Sequence, residues 1–168
     1  MLPTMPPPTY CEGRELLILD TGPIRELILC HAVLNFGFEG LRADLTCFKD
    51  AEPYDRCSRF IGSFNRRITS ASVVSELYYW IRRTETQGQE KLWNRVYDEF
   101  HGMKMNEEVI RLVDMDIAMV TRFGPVDVSV LDLAIRHRAE LPVVLTLDAE
   151  LWGQCKKAGV AVRHLREI

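Results

Sequence analysis

The sequence has no long hydrophobic run, no close cysteine pair and no excess of positive charge. Its longest apolar stretch, Leu27 to Phe36, is broken by His31 and Asn35 and falls far short of the roughly 20 residues that span a bilayer, so no transmembrane helix is predicted. The five cysteines, Cys11, Cys30, Cys47, Cys57 and Cys155, are odd in number and widely spaced. Neither Cys30 with His31 nor Cys47 with Cys57 has a second ligand pair at zinc-site spacing. The expectation is a reduced, cytoplasmic protein whose cysteines are structural or incidental. A net charge of −3 gives no global attraction to nucleic acid or to an anionic membrane, so any basic docking surface has to be local.

What is present is a folded composition: 168 residues, 47% apolar, enough for one domain with a sizeable core. Met1 to Thr9 holds four prolines and lacks the basic start and apolar middle of a signal peptide. Residues 1–14 therefore read as a loose tail ahead of a single domain over 15–168, with no internal repeat.

Along that domain, Leu16 to Leu19 reads as a buried strand and Pro23 to about Leu34 as a helix, Pro suiting the first helical position. Residues 37–66 are irregular, with short helices expected near 41–49 and 54–64. Arg67 to Thr69 is a short strand, and Ser70 or Ser72 caps a helix whose apolar stripe is Val73, Val74, Leu77, Trp80 and Ile81. Gln89 to His101 is predicted helical, Val109 to Val113 a strand, and Asp116 to Arg122 a helical turn. Asp127 to Ala139 follows as a helix, Val143 to Thr146 as a strand, Ala149 to Ala158 as a helix and Val160 to His164 as a last strand. Strands alternating with helices imply an α/β domain with a mainly parallel sheet covered on both faces.

Four carboxylates mark the margins of these elements. Asp20 and Asp148 end apolar runs, at the strand ends where ligands gather in a parallel α/β sheet. Glu76 lies about 60° from Val73 on its helix, beside the core stripe, and Asp127 shares a face with Leu131 and Ala134. Asp132 is rotated about 140° from Asp127 and is expected to face away. Taken singly, each also fits a plain role: Asp127 and Asp148 as helix caps, Asp20 as a turn residue, Glu76 as a solvated helix residue. Brought together, their repulsion calls for a divalent cation held by oxygen ligands.

The order of the segments LLILDTGPI, ITSASVVSEL, VDVSVLDLAIRH and LPVVLTLDAELW, spread over residues 16 to about 165, resembles the PIN-domain family of metal-dependent ribonucleases. The nearest resemblance is to the toxin nucleases of toxin–antitoxin pairs. It implies a Rossmann-like three-layer sheet, with Asp20, Glu76, Asp127 and Asp148 around Mg²⁺ or Mn²⁺ and Thr146 as a hydroxyl beside them. The implied reaction is hydrolysis of an RNA phosphodiester, with an antitoxin protein as a possible partner. The Phe and Leu content of residues 38–64 suggests a surface that an antitoxin or a second subunit covers, and a homodimer is expected.

An acidic site needs positive charge at its rim to receive RNA. Arg66, Arg67, Arg136 and Arg138 are the candidate contacts, with His137, Arg82, Arg83, Lys156 and Lys157 as further groups that fit ordinary helix ends equally well. Trp80 and Trp152 could stack on bases or pack internally. A phosphotransferase of the haloacid-dehalogenase type disagrees with Gly22, which stands where that chemistry needs a second Asp. A non-catalytic RNA- or protein-binding module disagrees with four filled acidic positions, because clustered carboxylates without a metal cost stability. A nuclease that processes RNA without any antitoxin is indistinguishable at this level.

Overall fold

The computed structural model describes residues 15–83, 93–94, 98, 100–102 and 104–168. Five strands form one all-parallel sheet: β1 (Leu16–Leu19), β2 (Arg66–Ser70), β3 (Met105–Glu108), β4 (Val143–Thr146) and β5 (Ala161–His164). Their order across the sheet is β3-β2-β1-β4-β5. The helices are α1 (Thr21–Phe36), α2 (Ala51–Gly62), α3 (Ala71–Arg83), α4 (Ile117–Phe123), α5 (Pro125–Arg136) and α6 (Ala149–Lys157). They flank the sheet to give a three-layer α/β/α, Rossmann-like arrangement. β1 and β4 are buried at every position, which is why both read as short continuous apolar runs.

The chain proceeds outward from β1 to β3 and then returns to place β4 on the other side of β1. That reversal makes the gap beyond the ends of β1 and β4 a topological switch point, where open α/β sheets form their binding crevice. Two side chains fix the strand ends there. The Thr69 hydroxyl donates to the Leu19 carbonyl at 2.7 Å, and Ser70 accepts the Val73 amide to cap α3 while bonding Ser129 of α5 at 2.7 Å.

Two expectations change. The strand expected at 109–113 lies instead at Met105–Glu108; Val109 and Val113 are 68% and 84% exposed, so their alternation marks no sheet face. A short 3-10 turn occupies Leu112–Asp114. In residues 37–66, a 3-10 turn at Glu39–Asp44 and α2 stand for the two expected helices. Leu41, Leu45, Phe48, Cys57, Ile61 and Phe64 are buried in the chain's own core, and Phe38, Tyr54 and Phe60 of the same segment are half-buried against it. Trp93, Asn94, Asp98 and residues 100–102 are helical, and the rest of the helix expected at 89–101 lies outside the described residues, as does the tail 1–14. No helix among the described residues is long and apolar enough to cross a membrane.

The irregular segment is tied down by Glu26, which is only 2% exposed on α1. Its carboxylate accepts the Thr46 amide and hydroxyl at 2.7 and 2.6 Å, the Cys47 amide at 2.8 Å and the Phe48 amide at 3.2 Å. Removing it strands three backbone donors in the interior. Glu26→Ala is expected to lower unfolding free energy by about 3 kcal/mol or more in urea denaturation; a loss under about 1 kcal/mol would show that other contacts hold the loop.

Candidate metal centre

Asp20 follows β1 directly, and its amide donates to the Leu145 carbonyl of β4 at 3.1 Å, so the residue sits in the switch-point crevice. It is 4% exposed. Oδ1 accepts the Thr21 amide at 2.7 Å as the cap of α1, and Oδ2 accepts the Thr146 hydroxyl at 2.7 Å. Thr146 Oγ1 accepts the Asp148 amide in turn at 2.9 Å, joining the two strand-end acids through one buried hydroxyl. Asp148 is exposed and caps α6 through Oδ1, which takes the Glu150 and Leu151 amides at 2.7 and 2.8 Å. Gly22 permits this closeness, since a Cβ there would stand 2.9 Å from the Leu147 Cβ.

Glu76 comes from α3, where it is exposed, and it accepts a hydrogen bond from the Thr21 hydroxyl. Thr21 therefore holds Asp20 with its amide and Glu76 with its side chain. Asp127 arrives on the third residue of α5 rather than at its start, because Pro125 opens the helix after Gly124, whose φ of 85° makes the bend from α4. Asp132 turns away from the crevice toward Arg136 and Asp116, half-buried rather than fully outward.

Electrostatics join all four acids. Burial pushes the Asp20 carboxyl up to about 6 against the bonds from Thr146 and Thr21, with Glu76 and Asp148 adding to the rise. Asp127 is pushed up to about 7 by burial and then by Asp20, Asp148, Glu76 and Glu150. Glu150, in the first turn of α6, is the last of these contributions, and the sequence reading did not single it out. Among the described residues none of these acids enters a salt bridge.

Among the described residues no three acidic, imidazole or thiol groups stand close enough together, as placed, to grip an ion. The donor chemistry nevertheless fits a hard divalent cation: carboxylate oxygens only, one rigid and buried, the others around it, with mutual repulsion that a cation relieves. The cysteines supply nothing here, the four described ones being free thiols, and burial pushes those of Cys30, Cys57 and Cys155 up to about 11 or 12.

The basic residues expected to meet RNA are not brought to this crevice. Arg66 pairs with Leu16, four residues and roughly 13 Å before Asp20, at the starting edge of the sheet. It forms ion pairs with Glu140 and, at 3.9 Å, Glu108. Arg67 closes the end of α2 by donating to Ile61, Gly62 and Phe64 carbonyls. Arg136, nine residues and roughly 14 Å along α5 from Asp127, reaches Asp114 at 3.8 Å, and Arg138 donates to the Ala158 carbonyl. His137 lies between Glu140 and Glu108 at 2.7 and 2.9 Å; burial opposes its charge, but these bonds raise its pKa. Arg82, Arg83 and Lys157 stand in the last turns of α3 and α6, and the Lys156 ammonium covers the Trp152 ring at 3.6 Å. A cavity of about 360 Å³ lined by Leu27, Tyr54, Ile61 and Arg67 contains none of the acids.

No protein-family model matches the sequence, and no curated protein matches it.

Asp20 and Asp127 hold their protons more tightly folded than unfolded. Their contribution is therefore fully present below about pH 4 and is lost as pH rises through about 6 and 7. For Asp20 alone this amounts to about 3 kcal/mol at most. Melting in EDTA is expected to show Tm falling from about pH 5 to 8, with Mg²⁺ removing much of the fall. His137 contributes with the same sign, so Asp127→Asn is the control and is expected to flatten the profile. A fall that neither Mg²⁺ nor this variant alters would contradict the acidic cluster.

Proposed function

We propose that this chain is a metal-dependent endoribonuclease of the PIN type, hydrolysing RNA phosphodiester bonds at the β1/β4 crevice. The observation that carries the reading is that Asp20 and Asp148 are joined through the Thr146 hydroxyl at the switch point of a parallel sheet, with Glu76 tied to Thr21 beside them, Asp127 feeling the charge of all three, and no salt bridge to any of the four among the described residues. The resemblance of the four acidic segments to PIN ribonucleases supports the same conclusion. We infer further that it acts in the cytoplasm as the toxin of a toxin–antitoxin pair. An adjacent small reading frame for a DNA-binding protein would favour this over an RNA-processing nuclease with the same site.

Mg²⁺ or Mn²⁺ would lower the pKa of a bound water and stabilise the leaving oxygen. Asp20 and Asp148 would hold the ion, the first locked by Thr146 and Thr21 and the second at the end of α6. Glu76 and Asp127 would serve as further ligands or would orient the attacking water, from α3 and α5. No protein nucleophile is required.

Purified protein is expected to cut single-stranded or structured RNA with Mg²⁺ or Mn²⁺ and to stop in EDTA. Asp20→Asn is expected to reduce the rate by on the order of 10²-fold or more. Cutting that persists in EDTA or in that variant would defeat the mechanism.

A further inference from the structure

Arg66, Arg67, Arg136 and Arg138 are engaged away from the crevice, but helix α3 leads out of it. The Thr21 hydroxyl holds Glu76 there, and Tyr79 and Arg83 stand three and seven residues further along α3. At about 100° per residue both lie within roughly 60° of Glu76, on the side away from the buried stripe Val73, Leu77 and Ile81. A rise of about 1.5 Å per residue places them roughly 4.5 and 10.5 Å beyond it. Tyr78 and Arg82 run alongside with the same spacing of four residues.

Tyr79 is 63% exposed and Tyr78 43%. Their ring centroids are 5.9 Å apart with the planes crossed at 74°, and Tyr78 meets Trp93 at 5.6 Å and 34°, so the three rings form one row. Trp80, by contrast, packs against the core with the Arg25 guanidinium over its ring. A row of rings whose outer member stands mostly in water is apolar surface that the fold itself does not use. Its neighbours decide what it can receive. Ser75, Glu76, Arg82 and Arg83 are all exposed beside it, and none is aliphatic. Protein interfaces gather apolar side chains at their centre and exclude charge there, whereas a single-strand platform sets rings for the bases beside cations for the phosphates.

We propose that Tyr79 and Tyr78, with Arg83 and Arg82 one turn beyond them, form a platform for single-stranded RNA that leads from the acidic crevice along α3. A base stacks on Tyr79, and the arginines take the phosphates that follow. Stacking needs an unpaired base but no particular one, so the platform selects single strands without reading their sequence. That the strand continues into a cleavage site at Glu76 rests on the nuclease reading; the platform itself is tested without cutting.

Binding of a fluorescein-labelled oligouridylate is measured over a range of salt, with Ca²⁺ in place of Mg²⁺, for wild type, Tyr79→Ala, Tyr79→Phe and Arg83→Gln. Tyr79→Ala is expected to weaken binding roughly 5-fold or more with the salt slope unchanged, and Tyr79→Phe to stay near wild type. Arg83→Gln is expected to make the slope of log affinity against log salt shallower by about 0.7. The same oligonucleotide carrying thiouridine is crosslinked by light to the wild-type protein, and the crosslink is expected on the peptide that holds Tyr78 and Tyr79; this arm decides the matter if a variant does not fold. Crosslinks found only elsewhere, a wild type that binds no single strand, or wild-type affinity in Tyr79→Ala each overturn the platform. Metal-dependent cutting that persists in that last case leaves the nuclease reading standing. RNA bound through Tyr79 by a protein that never cuts it keeps the platform and defeats the nuclease reading. Wild-type RNA affinity together with a change from dimer to monomer in Tyr79→Ala makes this face a subunit interface and overturns the proposal.

Discussion

Burial of the Asp20 carboxylate between the ends of two adjacent parallel strands is the constraint on which the rest of the site depends. β1 and β4 become neighbours only because the chain returns past β1, and the Asp20 amide is bonded to the Leu145 carbonyl of β4. A charge taken out of water at that point demands hydrogen bonds or a counter-ion. Thr21 and Thr146 supply the former, and in doing so they fix Glu76 and Asp148 relative to Asp20. For Asp20 burial outweighs these bonds and pushes its carboxyl up, and burial with acidic neighbours does the same for Asp127, a repulsion that a divalent cation would relieve.

Much of the fold was legible because the central strands are buried on both faces and therefore appear as unbroken apolar runs that stop at an acid. β4 matches its expected limits, and β1 does the same. Helix α1 extends further than expected because Asp20 caps it ahead of Pro23. β3 was missed for an opposite reason: Met105, Asn106, Glu107 and Glu108 form an edge strand paired on one side only, and its composition is that of a solvated edge. The apolar alternation just after it drew the expectation four to five residues too far along.

The acidic residues were legible to different degrees. Strand-end position identified Asp20 and Asp148, and helical phase separated Asp127 from Asp132. Glu76 depends on the packing of α1 against α3, a tertiary contact that no local pattern announces, and Glu150 depends on the approach of α6 to α5. The basic residues were misplaced because charge doublets carry no information about which edge of the sheet they occupy. In a parallel sheet the start of β2 and the C-terminal end of α5 both lie away from the strand ends where Asp20 and Asp148 meet.

The central claim is that Asp20, Glu76, Asp127 and Asp148 make a single divalent-cation site. Calorimetric titration with Mn²⁺ of wild type and Asp127→Asn tests it without reference to any substrate. The expected result is saturable binding by wild type that weakens about 10- to 100-fold in the variant. Absence of binding by wild type, or equal affinity in both proteins, would contradict it.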